Sequence, residues 1–158
     1  MVIRNMDLWF AEYALSHKHP VNKKIHYICV PLIALSLLGI LWPVGFTHVV
    51  YANLASVFVV LSLAFYAWLS VRLAIAMFVF SMVMLSLIAL YQHYSSIPVW
   101  ETSIVVFILA WVGQFIGHIY EGQKPSFFKD IFFLLIGPAW VMYKLCPSPN
   151  RRLSKEKY

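Results

Sequence analysis

Four long apolar runs, at residues 25–42, 49–71, 73–91 and 99–117, restrict this chain more than any other feature of its sequence. A helix crossing the hydrocarbon core of a bilayer needs about 20 mostly apolar residues, because its backbone must close every hydrogen bond within the segment. Each run meets or approaches that length. The breaks fall at Trp42-Pro43-Val44-Gly45, at Arg72 and at Ser95-Ser96-Ile97-Pro98, where proline, glycine or a charge interrupts the pattern. Almost nothing separates the second run from the third, which predicts a tight helical hairpin. A fifth run, 131–143, is shorter and contains Gly137-Pro138, which suits a dipping segment better than a full crossing. The expected fold is all-α: a multi-pass membrane helical bundle of four transmembrane helices plus a short re-entrant or interfacial C-terminal helix.

The chain is 62% hydrophobic and 11% charged, against about 25% charged in an ordinary soluble domain. No linker or repeat divides it, so 1–158 reads as one integral membrane domain, with a cytoplasmic or interfacial segment over 1–24 and a basic tail over 147–158. The first 24 residues carry Asp7, Glu12 and His17 without a continuous apolar block and do not read as a cleavable leader. The net charge of +6 sits outside the longest apolar runs. That pattern suits lipid head groups or an acidic substrate and gives little support to nucleic-acid binding. The positive-inside rule, applied to Lys18, Lys23, Lys24, Arg72, Lys124 and Lys129, puts both termini in the cytoplasm. Cys29 and Cys146 lie in different segments without a CxxC spacing, so neither a disulfide framework nor a thiolate metal site is indicated.

Polar residues inside such a chain mark function, because each is expensive to bury in lipid without a partner. At the end of the fourth run, Gln114, His118 and Glu121 follow i, i+4, i+7 and share one helix face, while Gly113 and Gly117 form a GxxxG on a neighbouring face for close helix approach. Ahead of the first run, Pro20 suits the first position of a helix capped near His19, so Asn22 and His26 also share a face, with His17 just upstream. His17, His26, His118 and Glu121 then lie at one membrane surface. Imidazoles with a carboxylate suit iron, zinc and other borderline divalent ions, and a mixed set with open positions is typical of non-haem Fe(II) oxygenases. A hydrogen-bonded packing network accounts for the same residues. His48 lies beside the first outer turn, and His93, after the third run, is an additional candidate ligand. A haem- or quinone-binding membrane protein, or a small lipid transporter or scaffold, is the alternative reading.

Together the stretches from Ser16-His17-Lys18-His19-Pro20-Val21-Asn22-Lys23-Lys24-Ile25-His26 to Pro31, and Gln114-Phe115-Ile116-Gly117-His118-Ile119-Tyr120-Glu121 to Pro125, resemble the Mpo1-like family. Its characterised fungal member is an Fe(II)-dependent 2-hydroxy fatty acid dioxygenase of the endoplasmic reticulum membrane. The resemblance runs from about Tyr13 to Cys146. It implies α-oxidation, in which a long-chain 2-hydroxy fatty acid and O2 give a fatty acid one carbon shorter, in the breakdown of a sphingoid base. It implies Fe(2+) as cofactor, with His17, His26 and His118 as ligands and Asn22 and Gln114 orienting them. Glu121 is then a ligand or its support. Lys23, Lys24 or Lys124 is a candidate partner for the substrate carboxylate. The expected location is a bacterial inner membrane, or the endoplasmic reticulum in a eukaryote, with the site facing the cytoplasm.

Overall fold

The computed structural model describes residues 6–45, 52–125 and 132–145. Six helices account for almost all of them: α1 (Met6–Leu15), α2 (Pro20–Leu41), α3 (Leu54–Leu69), α4 (Val71–Tyr94), α5 (Val99–Glu121) and α6 (Phe133–Leu145). His48, Lys129, Cys146 and the basic tail lie outside the described residues.

Local chemistry sets the ends of these elements. Pro20 opens α2, and the His19 ring caps it by accepting from the Val21 N–H at 3.3 Å. Asn53 caps α3 by accepting from the Ser56 N–H at 3.0 Å, which starts that helix at Leu54. Its end comes at Ser70, whose extended backbone (φ −169°, ψ 127°) separates α3 from α4. The break between the second and third runs is therefore Ser70, and Arg72, expected as the break, lies in the first turn of α4. Gly122 ends α5 in the left-handed region at φ 69°, where a residue without Cβ is least strained.

Three helices, α2, α4 and α5, are long and apolar enough to cross a membrane, while α3 and α6 are apolar but shorter. The 16 residues of α3 rise roughly 24 Å, less than the hydrocarbon thickness of about 30 Å. By length alone the expected four crossings become three. Val60, Leu61, Ile75 and Leu109 are all more than half exposed on the outside, as a lipid-facing surface requires.

The closest helix pair is α2 with α5, and glycines permit it. A Cβ at Gly113 would stand 2.7 Å from Cys29 Sγ, one at Gly117 would stand 2.5 Å from Asn22 Oδ1, and one at Gly39 would collide with Ser103 Oγ. The GxxxG expected from the sequence thus faces α2. Two apolar clusters hold the bundle at opposite ends. One joins Trp9, Phe10 and Tyr13 of α1 and Ile136, Ala139 and Trp140 of α6 to Val30, Tyr66, Leu73 and Met77. The other joins Leu38, Trp42, Ala55, Val59, Leu85, Ile88 and Val99.

Candidate metal centre

His17 follows the end of α1, His26 lies in the second turn of α2 and His118 lies in the last turn of α5. All three are buried, and one ring nitrogen from each falls within 4.8 Å of the others. The backbone determines how two of the rings present themselves. His17 Nδ1 lies 2.6 Å from the Tyr13 carbonyl and His26 Nδ1 lies 3.0 Å from the Asn22 carbonyl. A carbonyl only accepts, so each Nδ1 carries the hydrogen and each neutral ring keeps its lone pair on Nε2.

Those two Nε2 atoms face each other at 2.9 Å. Two lone pairs at that distance repel unless a cation sits between or beside them. A proton is a poor candidate, because burial lowers the His17 pKa to about 4. A divalent metal fits: ligands about 2.1 Å from an ion and at right angles stand about 3 Å apart. The Nδ1–H bonds to carbonyls are the outer contacts that orient metal-bound imidazoles. Three neutral imidazoles are a donor set for iron, zinc and their neighbours in the series. A porphyrin has no room between nitrogens 2.9 Å apart, so the geometry does not favour the haem alternative.

His118 completes the group with less support. Its Nδ1 is buried and has no well-formed hydrogen bond, only a looser approach to the Gln123 backbone. Its ring packs edge-on against those of His17 and His26, with centroids 5.1 and 5.0 Å away.

Glu121, expected at the metal, does not join the histidines. Its carboxylate accepts from the backbone N–H groups of Lys18 and His19, each at 2.8 Å, and from Asn22 Nδ2 at 3.0 Å. Three donors on two oxygens make it a clamp that ties the end of α5 to the segment carrying His17. Asn22 extends the clamp by donating to the Ser16 carbonyl at 3.2 Å. His93 is also outside the group: it is exposed in the last turn of α4, 4.8 Å from the Tyr94 ring.

A cavity of about 380 Å³ opens from the histidines into the bundle. Its walls are almost wholly apolar, and Gln114 brings a buried carboxamide whose Oε1 has no partner. Lys23, half-buried in the first turn of α2, acts electrostatically on His17 and does not line the cavity. The sequence reading missed α1 and with it Tyr13, which supplies the carbonyl that orients His17 and stacks on its ring at 4.0 Å. Trp9, Phe10 and Tyr13 at i, i+1, i+4 were the available signal.

The family model described as "2-hydroxy-palmitic acid dioxygenase Mpo1-like" matches residues 3–148. The chain belongs to the Mpo1-like family. That name implies dioxygenase activity on a 2-hydroxy fatty acid, and the histidine group suits the metal dependence of such an oxygenase. No curated protein and no solved structure matches the chain. The Mpo1-like match covers every element from α1 to α6, the three histidines and the Glu121 clamp.

Proposed function

We propose that the protein is a membrane-embedded, iron-dependent dioxygenase that shortens long-chain 2-hydroxy fatty acids by one carbon, in lipid and sphingoid-base degradation. The observation that carries this reading is the pair of Nε2 lone pairs 2.9 Å apart at the mouth of an apolar cavity. His17, His26 and His118 would hold the iron, which would supply the redox chemistry for the reaction with O2. The overall reaction balances without a reductant: the hydroxy acid and O2 become the shorter acid, carbon dioxide and water.

The chain's own residues bind and orient. The apolar cavity takes the acyl tail out of lipid without exposing it to water, leaving the carboxyl end beside the histidines. Gln114 accepts a hydrogen bond from the substrate's 2-hydroxyl through its unpartnered Oε1, which distinguishes a hydroxy acid from a plain one. Asn22 and Glu121 keep the His17 segment in place, and Lys23 attracts the carboxylate to the rim.

The same reading assigns four crossings, with α3 as the short one, and a site facing the cytoplasm of a bacterial inner membrane. Purified protein given Fe(II), O2 and 2-hydroxypalmitate should release pentadecanoate, detected by mass spectrometry. His26→Ala and His118→Ala should each remove both the product and the bound iron. Wild-type protein with full iron and no product ends the substrate assignment. Product from either variant at the wild-type rate ends the site assignment.

A further inference from the structure

The cavity has an end as well as a mouth. Along α2 it is lined by His26, Val30, Ile33, Ala34, Leu37 and Leu38, so one or two residues of every turn reach it. From His26 to Leu38 the helix rises about 18 Å. Leu38 and Val59 are each only 5% exposed, line the cavity and belong to the far apolar cluster. Deeper members of that cluster, Trp42, Ala55, Leu85 and Ile88, are buried but do not line the cavity. Leu38 on α2 and Phe58 and Val59 on α3 therefore form its floor, with Leu38 and Val59 its most buried members.

We propose that this floor is a ruler for the acyl tail, with Leu38 and Val59 as the specificity-determining residues that set the longest chain accepted. The proposal rests on the reading of the cavity as the tail site. A tail seated with its carboxyl end at the histidines has a fixed depth, because the head group cannot slide outward without leaving them. Each methylene beyond that depth must displace a packed side chain, and discrimination of about tenfold or more per misfit methylene follows.

The test uses the full chain in lipid nanodiscs. Saturated 2-hydroxy acids of increasing length compete with a fluorescent fatty acid for binding, and their turnover is measured in parallel. Wild-type affinity should rise with length and then fall at least tenfold past a limit. Leu38→Ala should move the limit to longer chains and Val59→Phe to shorter ones. Val59→Leu adds one methylene to the floor, and should shift the limit the same way as Val59→Phe with little loss of stability. Wild-type binding without a length limit, or Val59→Leu and Leu38→Ala profiles that superimpose on wild type in folded protein, overturns the ruler. A length limit that moves as described, without turnover by any form, leaves the ruler standing and ends the dioxygenase reading. Turnover without any length limit does the reverse.

Discussion

Glu121 carries a negative charge beside three histidines and yet spends both oxygens on N–H donors. Charge-assisted hydrogen bonds of this kind stabilise by about 1.5–3 kcal/mol each. Glu121→Gln leaves one oxygen to accept and turns an amide N–H toward the remaining donors. The variant should still bind one metal ion per chain, about 10–100-fold more weakly, as loss of an orienting contact does. His118→Ala should bind no stoichiometric metal. Metal titration followed by elemental analysis separates the two roles, and a Glu121→Gln protein as empty as His118→Ala would make Glu121 a ligand. A second residue-scale consequence concerns pH. His17 has its pKa lowered by burial from 6.5 to about 4, against the countering bond to Tyr13 and the field of Glu121, with His118 and Lys23 lowering it further. Its neighbour His26 packs against it from α2. Between those two values the unfolded chain holds a proton on this ring that the folded chain does not. Lowering pH from 6.5 toward 4 therefore favours unfolding, and above 6.5 the contribution is flat. Metal-free protein should lose thermal stability across that window, and His17→Gln should make the slope shallower without abolishing it.

The pairing of α2 with α5 brings residues about a hundred positions apart into one site, and it depends on the missing side chains of Gly39, Gly113 and Gly117. Gly117→Ala would place a methyl 2.5 Å from Asn22 Oδ1. Asn22 is fully buried and its Nδ2 donates to both the Ser16 carbonyl and Glu121, so the carboxamide cannot swing away without breaking those bonds. Overpacking of this kind costs about 1–3 kcal/mol, and here it should also weaken metal binding by loosening the Glu121 clamp. Gly113→Ala meets Cys29 Sγ at 2.7 Å instead. Thermal melts should show that Cys29→Ala offsets much of that loss, while leaving Gly117→Ala unrelieved. The faces involved were legible in the sequence, since Gly113 with Gly117, Gln114 with His118 and Glu121, and Asn22 with His26 all follow helical spacing. Pro20 and His19 likewise marked where α2 starts. The role of Glu121 was not legible, because spacing places a carboxylate on a face without saying that Lys18 and His19 will bring their N–H groups to it. Nor was α1, ten residues long and stabilised by Phe133, Trp140 and Tyr143 from the other end of the chain. The start of α3 was misplaced because an apolar run continues through Val49 and Val50, whereas the helix begins at the Asn53 cap.

Across the whole molecule, the two apolar clusters give a direction to every long helix. α2 runs from Val30 in the cluster near the histidines to Leu38 in the far one, and α4 runs from Leu73 and Met77 to Leu85 and Ile88. α3 makes the opposite journey, from Ala55 and Val59 to Tyr66, and α5 returns from Val99 to His118. Although short, α3 connects the same two levels as its longer neighbours, and under the proposed four crossings the bilayer would be thinned or met by tilted ends at α3. The charges agree with this path. No Lys or Arg lies between Lys24 and Arg72 or between Arg72 and Lys124, and among the described residues Lys18, Lys23, Lys24, Arg72, Lys124 and Lys144 all fall on segments at the histidine end. By the positive-inside rule, asymmetry of that sign is what the proposed cytoplasmic orientation requires. Single cysteines in a background free of Cys29 and Cys146, placed at Gly45, Ser96 and Lys124, should report this in intact cells. A membrane-impermeant maleimide should label positions 45 and 96 and spare 124 until the membrane is opened. If α3 stayed on one side, positions 45 and 96 would fall on opposite faces and only one of them would label. Labelling of 124 alone would keep the four crossings, invert the protein and put the metal site outside the cytoplasm.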